Sequence, residues 1–135
     1  LLNDTFAQNS ANDDGGALFS IGLNAITVRH STLTGNSATD NGGALYSFSD
    51  ATITLNNSIV AGNTSSTGPD IRSYSTIDAS NSAIGNSGGF TLGVNSDNLP
   101  FGTNLLLAPL GSYGGPTQTL APLPGSPLLQ RRARR

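Results

Sequence analysis

The feature that most restricts the fold of this chain is an internal repeat of 27 residues. Thr5-Phe6-Ala7-Gln8-Asn9-Ser10-Ala11 recurs as Thr32-Leu33-Thr34-Gly35-Asn36-Ser37-Ala38. Asp13-Asp14-Gly15-Gly16-Ala17-Leu18 recurs as Asp40-Asn41-Gly42-Gly43-Ala44-Leu45, and Ala25-Ile26-Thr27-Val28 as Thr52-Ile53-Thr54-Leu55. A third copy opens with Ile59-Val60-Ala61-Gly62-Asn63. Self-similarity at a fixed period of about 20–50 residues is the mark of a solenoid or array. Each copy holds three short β-compatible runs, around Phe6, Leu18 and Ile26, with turn residues between them. A helical repeat would need amphipathic runs of about ten residues or more, and none is present. Three strands and three turns describe one coil of a β-helix, with successive coils paired in parallel about 4.8 Å apart.

Stacking at this period gives each position a neighbour in the next coil. Phe6, Leu33 and Val60 form one inward apolar column, and Ile26 with Ile53 a second. Leu18 and Leu45 mark a third, where alternation leaves open whether Ala17 and Ala44 or the leucines point inward. Asn9, Asn36 and Asn63 are expected to form a ladder of side-chain amides. The pairs Gly15-Gly16 and Gly42-Gly43 supply positive φ at a tight corner. After Asn63 the period slackens: Thr64 to Asp70 reads as a loop, Ile71 to Ile77 as a strand, and Ser82 to Asn86 as a degenerate coil. The division expected is 1–98 as coils, 99–130 as a Pro/Gly-rich C-terminal cap over the open end of the stack, and 131–135 as a basic tail.

Composition agrees with short strands. Lys, Glu and Met are absent, which removes three strong helix formers, and no helix is anticipated. All eight acidic residues are Asp, whereas Arg131, Arg132, Arg134 and Arg135 gather four of the six cations at one end. An acidic body without Lys is a poor partner for nucleic acid, whose phosphates need a basic footprint. No apolar run approaches the roughly 20 residues that cross a bilayer, so no membrane insertion by this segment is expected. Without Cys there is no disulfide, thiol catalysis or Cys-ligated zinc, and a single His excludes a His-rich metal site. The chain opens on Leu1-Leu2, and the expectation is a C-terminal piece with the rest of its own solenoid upstream.

Phe6-Ala7-Gln8-Asn9 followed by Gly15-Gly16-Ala17-Leu18 resembles the FxxN and GGA(I/L) repeats of chlamydial-type polymorphic outer membrane proteins. The second copy, Leu33-Thr34-Gly35-Asn36 with Gly42-Gly43-Ala44-Leu45, carries Leu in place of Phe. The C-terminal half is similar to bacterial β-helix proteins of the choice-of-anchor Q type, through Ser58 to Asn63, Gly68-Pro69-Asp70-Ile71, Ala83-Ile84-Gly85, Gly114 to Thr119 and Leu123 to Pro127. These resemblances imply a right-handed parallel β-helix, export, and a secreted or cell-surface place, outer membrane included. They imply no catalytic residue.

Candidate chemistry is sparse. Asp13 and Asp40 fall one coil apart and would bring two carboxylates together, a repulsion that a hard cation such as Ca²⁺ relieves. The plainer reading is a pair of hydrated turn aspartates, and no other cofactor is expected. His30 occupies the position of Asn3 and Asn57, which are polar surface residues. An Asp13/Asp40/Arg29 site could be assembled for acidic-sugar cleavage, but nothing singles it out. The leading expectation is therefore a non-enzymatic structural or adhesive β-helix whose partner is a glycan or surface protein. The alternative is a carbohydrate-active lyase or hydrolase with its site on the coils or upstream.

Overall fold

The structure is a computed structural model that describes residues 1–132. It divides into two compact units, Leu1–Gly102 and Thr103–Arg135. The first is all-β. Its opening layer carries β1 (Thr5–Ala7), β2 (Ser10–Ala11), β3 (Leu18–Ser20) and β4 (Ile26–Arg29). The second repeats them as β5 (Thr32–Thr34), β6 (Ser37–Ala38), β7 (Leu45–Ser47) and β8 (Ile53–Asn56). Then follow β9 (Ile59–Val60), β10 (Ile71–Ser73), β11 (Thr76–Ser80), β12 (Ala83–Ile84) and β13 (Thr91–Ser96). Every strand pairs in parallel with its counterpart in the next layer, in the orders β1-β5-β9-β12, β3-β7-β10, β4-β8-β11-β13 and β2-β6. These stacked parallel sheets are the pairing that a β-helix or solenoid requires.

The register sets the core. Phe6 pairs with Leu33, Leu33 with Val60 and Val60 with Ile84, while Ile26, Ile53 and Ile77 follow one another in the second sheet. Leu18, Leu45 and Ile71 make the third column and pack into the core, where Ala44 is buried as well. The next side chain along each strand, Phe19, Tyr46 and Arg72, points to the opposite face, as the two-residue period of a strand demands. Leu33, Leu45 and Ile53 in the second layer are fully buried, whereas Phe6, Leu18 and Ile26 in the first are only half-buried. Full burial of one such side chain contributes about 1.5–3 kcal/mol, so inner layers hold the stack together.

One detail bears on the slackened period expected after Asn63, and two correct the sequence reading. The period is not uniform: Leu45 pairs with Ile71 and Ile53 with Ile77, offsets of 26 and 24, and Thr76 pairs with Thr91 after only 15. The stretch from Ile71 to Ile77 is two strands rather than one, because Tyr74-Ser75 makes the corner between β10 and β11. Each of the first two layers has four strands, the extra pair being the two-residue β2 and β6. The cause is loop length. Five residues separate Ser47 from Ile53, whereas three separate Ser73 from Ile77.

The glycine pairs also do two jobs rather than one. Gly15, Gly42 and Gly68 have φ of 61°, 61° and 64°, a left-handed column that suits glycine. Gly16 and Gly43 do not have positive φ; a Cβ at Gly16 would collide with Gly43 O, and one at Gly43 with Pro69 O. Their role is close approach between layers.

In the second unit, two antiparallel bridges, Leu107 to Pro122 and Gly111 to Thr119, tie the Pro-rich runs into a loop closed on itself. Buried Ser126 donates its hydroxyl to Leu105 O at 2.7 Å. Ser126 also caps α1 (Pro127–Arg132), accepting from Leu128 N–H at 3.2 Å, with Pro127 in the first helical position that proline favours. No helix was anticipated here. The boundary at Gly102/Thr103 leaves Leu99 with the stack, where its N–H reaches Ser82 O at 3.0 Å. Of the basic tail, Arg131 and Arg132 end this helix, and residues 133–135 lie outside the described residues.

Candidate functional site

An asparagine amide can accept two donors at Oδ1 and still donate onward through Nδ2, and the chain uses it so. Asn9 donates its backbone N–H and its amide to Asn36 Oδ1, at 3.0 and 2.8 Å. Asn36 does the same to Asn63 Oδ1 at 3.0 and 2.9 Å, and also donates to Phe6 O at 3.0 Å. Asn63 passes both bonds to Asp70 Oδ1 at 3.1 and 2.8 Å and donates to Leu33 O at 3.0 Å. The ladder has a direction, and it ends on a carboxylate.

Asp70 is the right chemistry for that end because it is an acceptor only. Oδ1 takes both Asn63 donors, and Oδ2 accepts the Asn86 N–H at 2.7 Å. Asp70 is 1% exposed, and burial pushes its carboxyl above the ordinary range, against the pull of donors from Asn63, Asn86 and Gly85. Its backbone stands in the layer above Ala44, accepting from Ala44 and Leu45 N–H. Asp70 ends the expected loop, just before β10, but is buried there rather than turned to water.

A second ladder went unrecognised. Asp4 N–H donates to Ser31 Oγ, Ser31 N–H to Ser58 Oγ, and Ser58 N–H to Ser82 Oγ, at 3.1, 3.2 and 3.1 Å. Each Oγ donates in turn to a carbonyl two residues earlier, Arg29, Asn56 and Ser80. Ser82 N–H closes the series on Asn98 Oδ1 at 2.8 Å. The signal was Ser31 and Ser58 at the repeat offset, each following a residue in the left-handed region. Those residues form a column of their own, Asn3, His30, Asn57, Asn81 and Asp97, all with φ between 49° and 58°. His30 is therefore an exposed corner residue of a type that tolerates this conformation.

The acidic pair is less developed. Asp13 and Asp40 are stacked through Asp40 N–H to Asp13 O at 2.9 Å, and both are exposed. Asp14 instead faces Asn41, whose amide donates to it at 2.8 Å. Among the described residues no three His, Cys, Asp or Glu converge in a manner that could hold a metal. Arg29 is the exposed last residue of β4, a different sheet edge from the turn that holds Asp13 and Asp40.

The most developed surface feature is aromatic. Phe19 stacks on Tyr46 with centroids 5.2 Å apart and planes 9° from parallel. Phe48 meets Tyr46 and Tyr74 edge-on, at 6.1 and 5.8 Å, and the Arg72 guanidinium lies 4.6 Å over the Tyr74 ring. Hydrogen bonds to Arg72 and Tyr46 hold the Tyr74 phenol below its ordinary range, while burial raises that of Tyr46.

With this geometry in place, similarity to known proteins can be read on the structure. Residues 5–21 and 30–47 match the model of the Chlamydia polymorphic membrane protein repeat. The chain is similar to that repeat over these two segments. No curated protein and no solved structure matches it. The matched segments contain Asn9 and Asn36 of the ladder, both glycine pairs, and the aromatics Phe19 and Tyr46. The repeat therefore coincides with the two most regular layers, and it ties the chain to surface or outer-membrane-related proteins. Among the described residues no helix is long and apolar enough to cross a membrane.

Proposed function

We propose that this chain is part of a right-handed parallel β-helix on a secreted or surface-exposed bacterial protein, serving as a non-catalytic adhesive module. The observation that carries the reading is the match of residues 5–21 and 30–47 to a surface-protein repeat whose named positions fill the layers of the stack. The likeness of residues 58–63, 68–71 and 114–127 to choice-of-anchor Q proteins supports the same placement. The ladders and glycine columns have structural work to do, which leaves the outer faces as the surface for contact with cells, matrix or glycans.

The test is binding of the purified chain to epithelial cells and matrix, with and without a chelator, beside an assay for reducing-end or unsaturated products from acidic polysaccharides. Saturable binding without product is the expected result. Product formation that disappears in Asp13→Ala or Asp40→Ala would overturn it in favour of a lyase or hydrolase. Binding lost on chelation and in Asp40→Ala would add Ca²⁺ at the acidic pair.

A further inference from the structure

A strand face turned to water ordinarily carries small polar or charged side chains, and the sheet of β4, β8 and β11 does, with Thr27, Thr54 and Asp78 in its outward register. The sheet of β3, β7 and β10 does not. Its outward positions form a grid of two columns and three layers. Phe19, Tyr46 and Arg72 make one column through the strand pairing. Ile21, Phe48 and Tyr74 make the other, two residues further along each layer, with Phe48 N–H donated to Ser20 O at 3.1 Å. Four of the chain's eight aromatic residues stand here. Phe19, Phe48 and Tyr74 remain 44%, 56% and 59% exposed, and Ile21 70%. An exposed apolar cluster of this kind on a soluble surface marks an interaction site.

The geometry points to a binding face for a neutral glycan on this grid. The inference rests on the adhesive reading above and gives it a location and a ligand class. Shape is the first argument. The middle residue of each strand, the first residue past its end and two steps between layers give a platform of about 7 by 10 Å, the footprint of two linked hexose rings laid along the stack. Phe48 lies 78° and 79° from the planes of Tyr46 and Phe48's other neighbour Tyr74, so ring surfaces are offered in nearly perpendicular orientations. Sugar rings have C–H faces that rest on aromatic rings and hydroxyl rims that need hydrogen bonds.

The polar rim is the second argument. The Tyr74 hydroxyl and the Arg72 guanidinium stand in the grid itself, around Tyr46, which is 3% exposed and forms the floor between its neighbours. Asp14 is close enough to act electrostatically on both phenols. Arg72 Nε is buried without a hydrogen-bond partner among the described residues. Such mixed planar donors and acceptors beside rings suit hydroxyls better than a purely apolar ligand would. Charge is the third. Apart from Arg29 and Arg72 the body carries only Asp, so a polyanionic glycan is repelled while a neutral one is not.

The test is an NMR titration of the whole chain with neutral tetrasaccharides of glucose, galactose, mannose and N-acetylglucosamine, with tetragalacturonate as the anionic comparison. The expected result is movement of the Phe48 and Tyr74 ring protons with at least one neutral sugar and none with the anionic one. Phe48→Ala and Tyr74→Ala should each weaken binding about tenfold, with only a small fall in melting temperature, since both rings are more than half exposed but share contacts with Tyr46. Failure of every neutral sugar to move these rings would overturn the inference. So would a concentration-dependent dimer abolished by Phe48→Ala, which would assign the face to a second copy of the chain. If the chain adheres to cells and both variants adhere equally well, adhesion stands and this face is not its site. If the wild type neither adheres nor binds sugar, the adhesive reading falls as well.

Discussion

Residues 1–63 and residues 64–102 solve the same problem differently. In the first region each layer satisfies the next with copies of itself: Asn on Asn, Ser on Ser, Gly on Gly. In the second the loops shorten, the offset falls from 27 to 24 and then to about 16, and self-stacking fails. There the ladders end on different residues, Asp70 for the asparagines and Asn98 for the serines. A repeating ladder cannot terminate itself, because its last member always has an unmet group. Irregular sequence is where a repeat is brought to a close.

The largest effect should come from the regular region. Ile53 is fully buried between Ile26 and Ile77, with core on every side. Ile53→Ala should cost about 2–5 kcal/mol, read as a fall in the urea midpoint. The same truncation at Leu92, half-buried on the last strand of the sheet, should cost less than half as much. Equal losses would mean that the irregular layers carry as much of the stability as the regular ones.

Asn36→Ala comes next. It removes the acceptor of two bonds from Asn9 and the donor of bonds to Phe6 O and Asn63 Oδ1. A loss of about 2–3 kcal/mol is expected, whereas Asn9→Ala, at the exposed start of the ladder, should cost about 1 kcal/mol or less. Hydrogen exchange at the Asn9 and Asn63 amides would locate the damage.

How much of this was legible in the sequence follows the same division. A constant offset makes the columns through Asn9, Leu33 and Ile53 readable, because stacking turns sequence distance directly into contact. The serine ladder and the aromatic grid were written at the same offset, in Ser31 and Ser58 and in Phe19 and Tyr46. They lie on the outward register and at the corners, where a repeated residue looks the same in sequence whether it is bonded to its neighbour or only hydrated. Asp70 could not be found this way. It lies seven residues from the Asn63 it serves, and only the shortened loop brings its carboxylate beneath the ladder. The helix at Pro127–Arg132 was hidden by arguing from composition, although Ser126-Pro127 is a local start signal that composition does not see.

Asp70→Asn tests the terminus itself. An amide keeps one acceptor for Asn63 but turns an N–H₂ toward the donors of Asn86, for a cost at neutral pH of about 1–3 kcal/mol. The pH dependence has a definite sign. Burial raises the folded carboxyl above its ordinary 3.8, so the folded chain holds this proton to higher pH than the unfolded chain does. That stabilisation is complete below 3.8 and is lost as pH rises through the folded value. Wild-type stability should therefore fall over that rise relative to Asp70→Asn, which has no group to titrate. A flat difference between the two proteins across the window would show that the ladder ends on a carboxylate whose ionisation folding does not disturb.

The smallest effect is expected at the corner. His30 holds a φ of 49° in a column otherwise made of Asn and Asp, residues whose short polar side chains accept the left-handed region. His30→Asn should be neutral or slightly stabilising in a thermal melt, because it restores the residue found one layer away on either side, at Asn3 and Asn57. His30→Val should cost about 1–2 kcal/mol, since a β-branched side chain crowds the backbone there. Because the side chain is exposed, a loss with valine and none with asparagine isolates backbone conformation as the cause. The reverse order would mean that the imidazole itself makes a contact worth keeping, and that this corner is more than a bend repeated in each layer.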